Sequence, residues 1–111
     1  MTPDQVRGGP AANSLRGEAE LLVSGVRHVM RPTFEALVRA EEELGSLFAL
    51  AERAGAGELR LAEIVALLSH CLDPACGVER EAVGRAVVAM GMAEAAKPLR
   101  VLLGQIFRGA G

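Results

Sequence analysis

The sequence predicts a mainly α protein with a small N-terminal β-hairpin, an α+β fold in which four to five short helices surround one core. Three observations predict it. Residues 18–31 alternate side-chain character around Ser24-Gly25, the spacing of a two-residue hairpin turn. From Phe34 onward apolar residues recur at helical spacing, and capping residues and glycines cut that pattern into short segments. At 111 residues the chain has the size of one ordinary domain, so a single core is expected over residues 16–108. Residues 1–15, with Pro3, Gly8, Gly9 and Pro10 and no periodic apolar face, are expected to form a disordered tail.

Pairing around Ser24-Gly25 sets Val23 opposite Val26, Leu21 opposite His28 and Ala19 opposite Met30, which gives one nearly apolar face. The other face pairs Glu18 with Arg31 and Leu22 with Arg27. A lone hairpin is marginal in water, so helices or another chain must cover the apolar face, and both strands are edges unless the fold hides them. Pro32 ends the second strand. Thr33 is placed to cap a helix over 34–44 with Phe34, Leu37, Val38 and Leu44 inward, and Glu35 suits its first turn. Gly45 stops it and Ser46 can cap a short helix over 47–54.

The segment 61–72 carries Leu61, Ile64, Val65, Leu68 and Leu72 at helical spacing, and Ala62, Ala66, Leu67 and Cys71 widen its apolar arc; it is the expected central helix. After the loop at 73–77, a helix over 79–90 places Val83, Val87 and Met90 inward and ends at Gly91. A last helix begins near Met92. Pro98 falls inside it, so a kink or a break is expected there.

Composition removes several classes of function. Half of the residues are apolar, but there are three Phe and no Trp or Tyr, so the stacking platform used for single-stranded nucleic acid is missing. A formal charge of -2 argues against a surface that neutralises duplex phosphates. Charged residues such as Glu63 and Asp73 interrupt every apolar run short of the roughly 18 to 20 residues that span a bilayer. The N-terminus has no export signal, which predicts a cytoplasmic protein with Cys71 and Cys76 as reduced thiols.

Chemistry would have to start from His28, His70, Cys71 and Cys76. His70, Cys71 and Cys76 lack a fourth ligand at a zinc-like interval, so no metal site is expected, and no cofactor motif is present. His28 reads as a partly buried histidine and Cys71 as a small core residue. The run Glu41-Glu42-Glu43 points around the helix and reads as a solvated face. No nucleophile, base and orienting group can be named together, so an enzyme is not expected. What remains is apolar: Leu102, Leu103, Ile106 and Phe107 near the C-terminus, with Leu47 and Phe48 on the short helix. These side chains either pack on one another or supply a partner-binding surface; the second is the expectation taken for function, and self-association stays open.

The stretch from Arg16 to Phe107 resembles the tail assembly chaperone-like proteins of gene transfer agents and related siphophages, a family also described as tail tube proteins. The resemblance rests on the residues 16–25, on Arg31-Pro32-Thr33-Phe34-Glu35-Ala36-Leu37, on Glu41-Glu42-Glu43-Leu44-Gly45 followed by Leu47 and Leu50, and on the helical segments 61–68 and 79–91. The loop 71–77 and Pro98 depart from the pattern. The resemblance implies a non-enzymatic role in building a phage-like tail, with the tape-measure protein and the tail tube protein as partners. A structural tail component of a gene transfer agent or prophage and a small helical regulatory module are the alternatives.

Overall fold

A two-residue turn with both central residues at positive φ matches the twist of the strands it joins. Ser24 and Gly25 have φ of 51° and 80°, so the chain folds back there into an antiparallel pair, β1 (Ala19–Val23) and β2 (Val26–Met30). The register is the expected one, from Ala19 opposite Met30 to Val23 opposite Val26. The computed structural model describes the backbone of residues 18–108 and the side chains of residues 18–104; the tail expected at 1–15 lies outside the described residues.

Ala19, Leu21, Val23 and Met30 are buried, whereas His28 is half-buried and Val26, beside the turn, is exposed. On the opposite face Arg31 Nε lies 2.9 Å from Glu18 Oε2, as the pairing predicts. The far edge of β2 is partly closed, because Met30 bridges Leu72 and the Arg31 N–H donates to the Cys71 carbonyl at 2.8 Å.

Five α-helices follow among the described residues: α1 (Phe34–Leu44), α2 (Leu47–Gly55), α3 (Leu61–Cys71), α4 (Arg80–Met90) and α5 (Met92–Arg108), with a 3-10 turn at Pro74–Cys76. The caps are local chemistry. Thr33 Oγ1 accepts from the Ala36 N–H at 3.1 Å and Ser46 Oγ from the Ala49 N–H at 3.3 Å. Glu63 reaches back to accept from the Arg60 N–H at 2.9 Å, and Asp73 accepts from Ala75 at 2.9 Å. Gly45 and Gly91 end α1 and α4 at φ of 84° and 91°, where a side chain would be strained.

Helix α3 is the centre, with Ile64, Val65, Ala66, Leu67, Leu68 and Cys71 buried. Helices α1 and α4 pack against it, while α4 and α5 cover the apolar face of β1. Val83 and Val87 of α4 are fully enclosed, as are Ala95 and Leu102 of α5.

One expectation is corrected and another is narrowed. Helix α1 turns Ala36 and Ala40 toward the core and leaves Phe34 77% and Val38 39% exposed, with Leu37 and Leu44 half-buried at the flank. Phe34 stands about 200° around the helix from Ala36, so both cannot face inward. The alanines take that position because they let two helices approach closely, which a ring would prevent. Of the kink or break expected at Pro98, the break does not occur: α5 is one continuous helix, and the carbonyl of Glu94, four residues back, receives no N–H from the proline ring.

Replacing Leu68 by Ala should therefore cost about 2 to 5 kcal/mol in urea unfolding, as expected of a fully buried leucine. Phe34→Ala should change stability by no more than about 0.5 kcal/mol. A large loss for Phe34→Ala would mean that α1 packs in the opposite phase.

Candidate partner-binding surfaces

The sides of α3 and α4 do not close on each other along their whole length. Between them lies an open groove of about 800 Å³, lined by Leu61, Ala62 and Val65 of α3 and by Gly84, Val88 and Ala89 of α4. Its floor follows from one residue. Gly84 has no side chain, and a Cβ placed there would sit 3.9 Å from both Val65 methyl groups, at ordinary contact distance. Leu61 is 42% and Val88 65% exposed at the groove's lip. On the other flank of α4 a second hollow of about 500 Å³ is lined by Leu22, Ala82, Ala86 and Met90. The outward side of α4 is thus a ridge between two apolar depressions.

Charges rim the groove in closed pairs. Arg80 grips the Glu43 carboxylate with both Nη atoms, at 2.5 and 2.8 Å, and His70 Nε2 lies 2.7 Å from Glu43 Oε1. Arg85 pairs with Glu81 one turn earlier at 2.7 Å. The hydrogen bonds from Arg80 and then His70 hold the Glu43 carboxyl down to about 2, from an ordinary 4.5, while partial burial opposes them. Glu43 therefore joins α1, α3 and α4 at one end of the groove.

The acidic run expected to be a solvated face is divided among different jobs. Glu41 accepts from the Leu47 N–H at 3.1 Å, Glu42 is exposed, and Glu43 carries the junction just described. Nothing local announces this, since Glu43 and Arg80 are 37 positions apart.

The residues expected to form a partner surface are separated. Leu47 is buried with Leu50 on the inner side of α2, and Leu102 and Leu103 are buried because α5 presents them inward with Ala95 and Leu99. Phe48 is exposed. The side chains of Ile106 and Phe107 lie outside the described residues. Cys71 is buried, and burial pushes its thiol up to about 12, so it stays protonated and inert at neutral pH. Cys76 is half-buried and both thiols are free. His28 and His70 stand on different elements and do not converge with the cysteines into a cluster of three or more metal-ligating groups among the described residues. The groove itself escapes the sequence pattern because Leu61 belongs to the apolar stripe of α3 and Val88 falls beside that of α4. The available signal was Gly84, a mid-helix glycine with no capping role.

The family model described as "Phage tail tube protein, GTA-gp10" matches residues 16–109. The chain belongs to this family. The match runs from before β1 through α5, so the hairpin, the helices and both depressions beside α4 are all parts of the GTA-gp10 unit. No curated protein and no solved structure matches the chain. The membership places this protein among those of phage and gene-transfer-agent tails. Among the described residues of this GTA-gp10 family member, no helix is long and apolar enough to cross a membrane.

The Glu43 junction has a pH signature. A carboxyl depressed in the folded state stabilises fully above its ordinary value and loses that contribution as pH falls through its folded value. The stability difference between the native chain and Glu43→Gln should thus be greatest above pH 4.5 and shrink to nothing as pH approaches about 2. With the Glu43 side chain 37% exposed, the difference should stay below about 1 kcal/mol in urea titrations across that range. A difference that grows on acidification would show that the junction does not form.

Proposed function

We propose that this GTA-gp10 family member is a non-enzymatic tail-assembly chaperone that acts in the cytoplasm of the producing cell. It binds the tape-measure protein, and through it or beside it the tail tube protein, during tail morphogenesis. The observation that carries the reading is the apolar groove between α3 and α4. Its walls are the sides of two helices whose backbone groups bond internally, so it offers an incoming chain no strand to pair with. An occupant must satisfy its own backbone, as a helix does. The rim charges close on themselves as Glu43–Arg80 and Glu81–Arg85, so the groove complements an uncharged apolar stripe rather than a charged segment. Each wall has 11 residues, about 16 Å, the length of some three helical turns of a tape-measure helix.

A structural tail component is the second reading, and the family's description as a tail tube protein favours it. The described sheet has two strands, and β2 is already partly closed by Leu72, which supports the chaperone over a ring built by strand pairing. Mass spectrometry of purified particles separates the two. Stoichiometric presence supports the structural component; absence from particles, with abundance in producing cells, supports the chaperone.

The groove is tested by co-expression with the tape-measure protein. Val88→Glu places a charge on the lip and Gly84→Leu fills the floor, and each should reduce co-purification at least about tenfold while helical circular dichroism is kept. Gly84→Ala, whose methyl fits beside Val65, should bind as the native chain does. Retention of the partner by both disruptive variants would exclude the groove as the docking site.

A further inference from the structure

The phase of α1 that sends Ala36 and Ala40 to the core sends Phe34 and Val38 outward. The two are one turn apart, so they meet on the surface as a single apolar knob. Phe34 is one of only three aromatic residues in the chain, and 77% of it is exposed. The knob is bordered by acid. Glu35, Glu41 and Glu42 are exposed on the same helix, where Arg39 is the single basic residue.

About half of the protein's acids are held in ion pairs. Glu18, Glu20, Glu43, Glu63, Glu81 and Glu94 each have a basic partner within 4.0 Å or less, at 2.9, 3.7, 2.5, 2.7, 2.7 and 3.0 Å respectively. Glu35 and Glu42 form no ion pair among the described residues. Arg39 lies one turn from both, but against Glu35, Glu41 and Glu42 it leaves the charge around the exposed phenyl ring net negative. The face is the side of a helix, with its backbone bonded internally, so it suits another helix rather than a strand.

We infer that the outer face of α1 is a second docking surface, and that it takes a basic amphipathic helix of a partner protein, whose apolar stripe covers Phe34 and Val38 while flanking lysines or arginines meet Glu35 and Glu42. Charge selects the occupant. A second copy of this chain would bring the same acids against each other, and an acidic or neutral helix would leave them uncompensated. The surface shares no residue with the α3–α4 groove, so it stands or falls separately from the function proposed above, and the two could be filled together.

The probe is a synthetic helix-forming peptide with leucine at i, i+3, i+4 and i+7 and lysine elsewhere, compared with its glutamate counterpart and titrated into the full chain by amide NMR. The Leu/Lys peptide should shift signals of residues 34–42, and the Leu/Glu peptide should not. Phe34→Ala should weaken the Leu/Lys peptide about tenfold or more without altering the fold. Glu35→Lys with Glu42→Lys should weaken it likewise and admit the Leu/Glu peptide instead. Several results overturn the inference: binding of neither peptide, equal binding of both, or shifts confined to α3 and α4. So would a native dimer that Phe34→Ala converts to monomer in sedimentation equilibrium, or Phe34→Ala shifts confined to residues 1–17, since the occupant would then be a second copy or the chain's own segment.

Discussion

Helix α3 buries side chains on every side: Ile64, Val65, Ala66, Leu67, Leu68 and Cys71 project in directions that together circle the helix axis. A helix that is apolar all round must be surrounded, and the rest of this chain is the surround. Helix α1 approaches through alanines, α4 through Val83 and Val87, α5 through its inward leucines, and the chain leaving α3 hooks onto the end of β2 through Leu72. Coverage of its apolar residues is incomplete beside α4, which has a glycine opposite Val65. The groove is what remains of the unmet demand of α3.

Ion pairs then mark where the surrounding helices meet. Arg53 holds Glu63 at 2.7 Å between α2 and α3, and Arg80 and His70 hold Glu43 among α1, α3 and α4. Exposed pairs of this kind contribute little net stability. Their consequence is positional: each satisfies one preferred rotation of a helix whose apolar stripe is too short or too weak to fix it. For α1, whose inward residues are two alanines, the Glu43 junction agrees with the phase that close packing selects.

What was legible in the sequence follows the range of the interactions. The hairpin register depends on two residues at the turn and was readable from Ser24-Gly25 alone; the helix limits depend on Thr33, Gly45, Ser46 and Gly91 within a few residues of each end. The rotation of α1 was not readable, because periodicity ranks Phe34 and Val38 above Ala36 and Ala40 as core candidates, and close helix approach reverses that ranking. At Pro98 the sequence left a kink and a break open, and the break is excluded because one missing N–H is a smaller penalty than losing the contacts of Leu99, Leu102 and Leu103. The groove needed both walls at once. Leu61 and Val88 lie 27 positions apart in sequence, and no window that reads one contains the other.

The rejected phase of α1 shows why the apolar surface lies outside. Turning Phe34 inward would remove on the order of 150 to 250 Å² of ring surface from water, a gain of a few kcal/mol at about 25 cal/mol per Å². The ring would also hold α1 away from α3 and leave space between them, a loss of comparable size, and moving Glu43 off Arg80 and His70 would add a smaller one. A core of small aliphatic side chains has no slot for a ring, and the same composition that lets α1, α4 and α5 pack closely on α3 expels the aromatic residue to the surface. The exposed Phe34 is thus a by-product of close packing before it is anything else, and a partner that covers it recovers the burial that the isolated chain forgoes.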